Sequence, residues 1–170
     1  MIARRGNPYM ERSALRVTLI PVLSVLAGSA MALVPVIATE PIVPPFGLMM
    51  LLAWRLLRPE IWPVWAALPL GLADDLMSGH YLGTAMILWT VAFLVLEWVD
   101  QLLLWREGWI EWAIAAVALP ALGVGAWALS QPGDSHTSVL TILPQTIGAV
   151  LLFPAILRLT AALDTWRLKR

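Results

Sequence analysis

Glycines and carboxylates at a fixed spacing are the residues of this chain whose types point to chemistry. Gly71, Asp75, Gly79 and Gly83 recur at every fourth position of Gly71-Leu72-Ala73-Asp74-Asp75-Leu76-Met77-Ser78-Gly79-His80-Tyr81-Leu82-Gly83. On a continuous helix this spacing makes one slowly rotating face of small residues with an acid in it. In lipid no hydrophobic force drives helices together, and small residues let their backbones approach closely. A carboxylate on such a face needs a partner, because an Asp at the centre of a spanning helix costs about 2.5–3.5 kcal/mol. Two readings of the segment stand side by side. In one, it is a helix-contact face carried by Gly71, Asp75, Gly79, Leu82 and Gly83. In the other, Asp74 and Asp75 lie solvated at the membrane boundary and the glycines make a turn.

A second group of acids, Glu97, Asp100, Glu107 and Glu111, surrounds a predicted loop, and Arg55, Arg58 and Arg106 fall at the same predicted depth. Ion pairs that order the bundle, between Glu97 or Asp100 and one of these arginines, are the expectation here. A proton relay would string its acids across the membrane, whereas these gather at one end. Histidines number two, His80 and His136, both in predicted outer loops; with Asp74, Asp75 or Asp134 they make a poor metal site, and none is expected. The absence of cysteine removes disulfides, thiolate nucleophiles and cysteine–metal chemistry. The chain has no phosphate-binding glycine loop with a Lys, no HExxH and no G-x-S-x-G. Neither catalytic residues nor a cofactor is expected.

The elements that position these residues follow from composition. Hydrophobic residues make up 60% of the 170 and charged ones 13%, against about 45–50% and about 25% in soluble domains. The apolar residues form long runs, and a spanning helix takes about 20 residues. The pattern predicts an all-α, polytopic membrane bundle of about six helices in a single membrane domain. Its spans cover residues 15–38, 42–57, 61–77, 81–105, 109–129 and 139–163, with tails at 1–14 and 164–170. The first run is too long for the apolar core of a signal peptide, which is about 7–15 residues, so it is expected to remain as a span. Prolines within the spans, Pro21, Pro120 and Pro154 among them, remove backbone donors and shape the packing.

Charge gives the direction. With both termini cytoplasmic, all eleven Lys and Arg residues fall in cytoplasmic segments and none in the outer loops near residues 40, 78 and 134. Basic residues resist translocation, so the split favours this orientation. Trp54, Trp62, Trp65, Trp98, Trp105, Trp109, Trp112 and Trp166 are predicted near the cytoplasmic ends, where indole favours the headgroup boundary. The short basic termini read as topogenic or lipid-contacting charge, and no nucleic-acid partner is expected.

An apolar span ending in Arg58-Pro59, a second span, and then Gly71-x-x-x-Asp75-Leu76-x-Ser78-Gly79-x-x-Leu82-Gly83 resemble the rod shape-determining MreD family. The likeness extends more loosely over the chain in length, span layout and termini. Asp75 matches the family position, and Asp74 is an additional acid. The resemblance implies a protein of the bacterial inner membrane without accepted enzymatic activity. It would help maintain rod shape in cell-wall elongation with MreC, the actin-like MreB, the glycosyltransferase RodA and penicillin-binding protein 2. The family is more distantly similar to the substrate-binding membrane subunits of energy-coupling-factor transporters, which implies the alternative of a small-ligand binder.

Overall fold

Six α-helices carry the computed structural model, which describes residues 8–33, 43–79, 81–102, 108–130 and 138–168, with side chains from Thr18 onward. They are α1 (Pro8–Ala30), α2 (Phe46–Leu57), α3 (Ala67–Ser78), α4 (Thr84–Leu102), α5 (Gly108–Leu129) and α6 (Leu143–Leu168), with short 3-10 turns beside several of them. No strand occurs among the described residues. The chain is all-α, as composition predicts.

Among the described residues three helices are long and apolar enough to cross a membrane: α4, α5, and α6 together with its leading turn from Val139. The expectation of a helical membrane bundle thus holds at this coarser level, while α2 and α3 have 12 residues each. At a rise of about 1.5 Å per residue that gives each roughly 18 Å, short of the ~30 Å hydrocarbon core. Proline sets these lengths. Pro44-Pro45 precedes α2 and Pro59 follows it, which forces Arg58 out of helical geometry to φ −142°. Pro63 opens the turn that leads into α3.

The short second helix occupies the centre. Every residue from Gly47 to Leu56 is buried, with α1 and α6 packed against it. A helix that is apolar on all sides belongs in an interior, and non-spanning lengths at membrane depth are tolerated where protein surrounds them. This placement corrects the interfacial assignment of two tryptophans. Trp54 is fully buried, donating its indole N–H to Ser24 Oγ at 2.7 Å, and Trp62 is buried as well. Trp65, Trp98, Trp109 and Trp166 are exposed.

The outside of the bundle is apolar. Leu23, Leu76, Ile87, Leu94, Val117, Leu151 and Leu159 are all exposed, far beyond the patches a soluble monomer shows. Lipid is the solvent that makes such a surface stable, and with three spanning-length helices it defines an integral membrane protein.

Candidate functional site

Asp75 stands at the joint between α3 and α4, the pair of helices in most extensive contact. It is 1% exposed. Its Oδ2 accepts from the backbone N–H of Gly83 at 2.8 Å and of Met86 at 3.4 Å, and its Oδ1 accepts from that of Ala85 at 2.8 Å. The first N–H groups of a helix have no partner within the helix, and a negative charge there also meets the positive end of the helix dipole. One carboxylate from α3 thus caps α4, although the two are separated by a turn.

Glycines make the approach possible. At Gly71 a Cβ would lie 2.6 Å from Met86 Cα and 2.7 Å from Met86 N, so only glycine lets the α4 backbone come this near. Helix α3 stops at Ser78, and Gly79 closes it in the left-handed region at φ 68°. Gly83, at φ 99°, turns the chain into α4. The four glycine–aspartate positions do not lie on one continuous helix: Gly71 and Asp75 face α4, while Gly79 and Gly83 make the turn. Leu82, at the tip of this hairpin, is 70% exposed.

The opposite end of the bundle gathers the other charges. Arg55 Nη1 of α2 lies 2.8 Å from Asp100 Oδ2 of α4, both largely buried. The contact is an ion pair rather than an aligned hydrogen bond, and Arg55 also lies over the Phe93 ring at 5.8 Å. Glu97 is exposed, one turn from Asp100, and its charge acts on Arg55. Arg58 donates to Asp164 Oδ2 at 3.1 Å and lies 3.5 Å from Glu60. Its hydrogen bond to Asp164, together with that residue's charge, raises the Arg58 pKa above its ordinary value. Asp164 Oδ1 accepts from Arg167 Nε at 2.7 Å, and Arg167 stacks over the Trp54 ring at 5.2 Å. Arg106 and Glu107 lie outside the described residues, as do His80, Asp134 and His136.

Asp164 and Arg167 are the participants that the sequence reading did not single out, because they follow the last apolar run and look like a tail. The signal is periodic: Thr160, Asp164 and Arg167 fall at i, i+4 and i+7, one helix face, and all three are buried. No group of three His, Asp or Glu side chains suited to a metal converges among the described residues.

A short-turn helical hairpin capped by an internal carboxylate, a buried central helix and a lipid-facing apolar coat define a membrane bundle in which Asp75, Asp100 and Asp164 tie helices together. The sequence pattern of the rod shape-determining protein MreD family matches residues 11–160, and the chain belongs to that family. Membership gives it a role in rod-shape determination. No match was found among curated proteins or among solved structures.

Proposed function

We propose that the protein is a non-enzymatic, multi-pass component of the bacterial inner membrane that scaffolds or regulates the rod-shape and cell-wall elongation complex. Its immediate partner would be an MreC-like protein, with MreB, RodA and penicillin-binding protein 2 engaged through that partner or directly. Family membership over residues 11–160 carries this reading.

The hairpin geometry supports a contact role for the motif. Gly71, Asp75, Gly79 and Gly83 hold the α3–α4 hairpin together, and its outer surface presents Leu72, Leu76, Tyr81 and Leu82. Exposed apolar side chains on this hairpin suit a single-span partner that packs alongside and ends near the boundary. Leu82→Gln tests this, because Leu82 makes no demand on the core. Co-purification with the MreC-like protein from native membranes should fall and cells should round, while the melting temperature in detergent stays unchanged. Full retention of both co-purification and rod shape would remove the hairpin tip from the interface.

A further inference from the structure

A proline inside a helix leaves one carbonyl without its donor. Pro154 lies inside α6. In an α-helix the N–H of residue i serves the carbonyl of residue i−4, so the donor missing at Pro154 frees the carbonyl of Val150. Lipid holds no water to replace it, and neighbouring helices must satisfy such a group. Trp112 of α5 does so: its indole Nε1 donates to Val150 O at 3.3 Å. One helix thus serves the very carbonyl that the other cannot serve itself. The Trp112 ring stays 42% exposed, so this hydrogen bond is a large part of what fixes it.

The two parts of α6 are held very differently. Past the proline, Thr160, Asp164 and Arg167 are buried. Asp164 accepts from Arg58 at 3.1 Å, and Arg167 lies over the Trp54 ring, so this part is pinned to α2 and its end. Phe153, fully buried beside Pro154, stands at the pivot. Before the proline, from Leu143 to Val150, only Ala149 is buried. Helices bend at proline, and segments with few buried contacts open first. The loosely held part also carries a wall. Gln145, Thr146 and Ala149 line a cavity of about 350 Å³, together with Leu119, Leu122 and Gly123 of α5.

We propose that α6 is a two-part helix hinged at Pro154, and that the hydrogen bond from Trp112 to Val150 is the latch that sets its first part against α5. The angle of that part sets the width of the cavity. Trp112 is a positioning residue: it acts through the α6 backbone. A single neutral hydrogen bond shifts an equilibrium between closed and open forms by about two- to tenfold, enough to favour the closed form and little enough to let it open. The device is independent of the partner-scaffolding role.

The test uses the full-length protein, which has no native cysteine, in nanodiscs. Spin labels on Val124→Cys of α5 and Ile147→Cys of α6, both exposed, report the distance across the first part of α6. Trp112→Phe keeps an aromatic ring and removes the donor. It should raise the population at longer distance by about two- to tenfold. A second label pair, Val117→Cys with Leu159→Cys, lies past the hinge on α6 and should not change. Trp98→Phe, which alters an exposed indole of α4, should leave both pairs as they are. The decisive arm restores the helix bond. In a Pro154→Ala background the alanine N–H serves Val150 O within α6, so Trp112→Phe should alter neither the distance distribution nor the melting temperature. Pro154→Leu supplies the same N–H should the alanine variant not fold. Equal effects of Trp112→Phe with and without the proline would mean that the ring acts by packing alone. An unchanged Val124–Ile147 distribution in Trp112→Phe would mean that no hinge is latched there. Either result would overturn the proposal.

Discussion

Asp75 and Asp100 do structural work at opposite ends of the bundle, and their removal should be felt differently. Asp75 accepts from three backbone N–H groups that have no other partner in the helix above them. Loss of a helix cap costs about 0.5–2 kcal/mol, and orphaning buried donors of this kind about 1–3 kcal/mol more. Asp75→Ala should therefore lower detergent stability by roughly 2–4 kcal/mol, read as a clear drop in melting temperature. Asp75→Asn, which keeps one acceptor, should fall between. An Asp75→Ala protein that melts with the wild type would mean that water caps α4. The pair between Arg55 and Asp100 differs, because each partner carries a charge that the other compensates. Removing one partner of a buried pair costs about 3–5 kcal/mol; Asp100 keeps 22% of its side chain exposed, which places Arg55→Leu at the lower end. The double variant Arg55→Leu with Asp100→Leu should recover part of the loss. Strict additivity in a double-mutant cycle would show that the two charges do not interact.

At the scale of elements, Gly71 decides how α3 meets α4. Even a methyl group there would fall 2.6 Å from Met86 Cα, so Gly71→Ala must push the two helices apart and disturb the Asp75 cap. Size-exclusion chromatography should show a lower monodisperse yield for it than for Gly79→Ala, whose Cβ meets open space and whose penalty is the left-handed φ alone. A Gly71→Ala protein as well behaved as the wild type would remove close approach as the reason for the glycine. Much of this hairpin is legible in the sequence: the four-residue spacing marks close approach at Gly71, and the need of Asp75 for a partner follows from the cost of a carboxylate in lipid. The division of labour is not legible, because a glycine wanted for its missing Cβ and a glycine wanted for its positive φ are the same letter. Trp54 is a similar case. Beside Arg55 it looks like an interfacial ring, and only the discovery that α2 is surrounded by other helices makes it core. The apolar run of α2, with no polar residue from Phe46 until Arg55, is the hint that this helix has no wet face.

At the scale of the whole molecule, the distribution of charge and the lengths of the helices pull in different directions. Sequence places every basic residue on one side of six predicted spans, whereas among the described residues three helices are long and apolar enough to cross a membrane. The structure suggests how both can hold: α2 ends in Arg55 and Arg58, which reach Asp100 of α4 and Asp164 of α6, so the end of a short helix is tied to the ends of two long ones. The α2–α3 connection would then meet the same water as the end of α6, through a locally thinned boundary or a protein-lined funnel, although neither helix spans 30 Å by itself. Single cysteines report this cleanly, since the chain has none of its own. One replacing Ser135, between α5 and α6, should react with an impermeant maleimide in intact spheroplasts. One replacing Thr165, exposed near the end of α6, should react only after the membrane is opened. The decisive position is Glu60, exposed just beyond α2. Its cysteine should behave like the one at Thr165, because Arg58 ties that connection to Asp164. Labelling at Glu60 and Ser135 but not at Thr165 would mean that the α2–α3 connection opens to the outer side and would reduce the number of crossings. Labelling at Thr165 and Glu60 alone would invert the orientation while leaving the helix pairing intact.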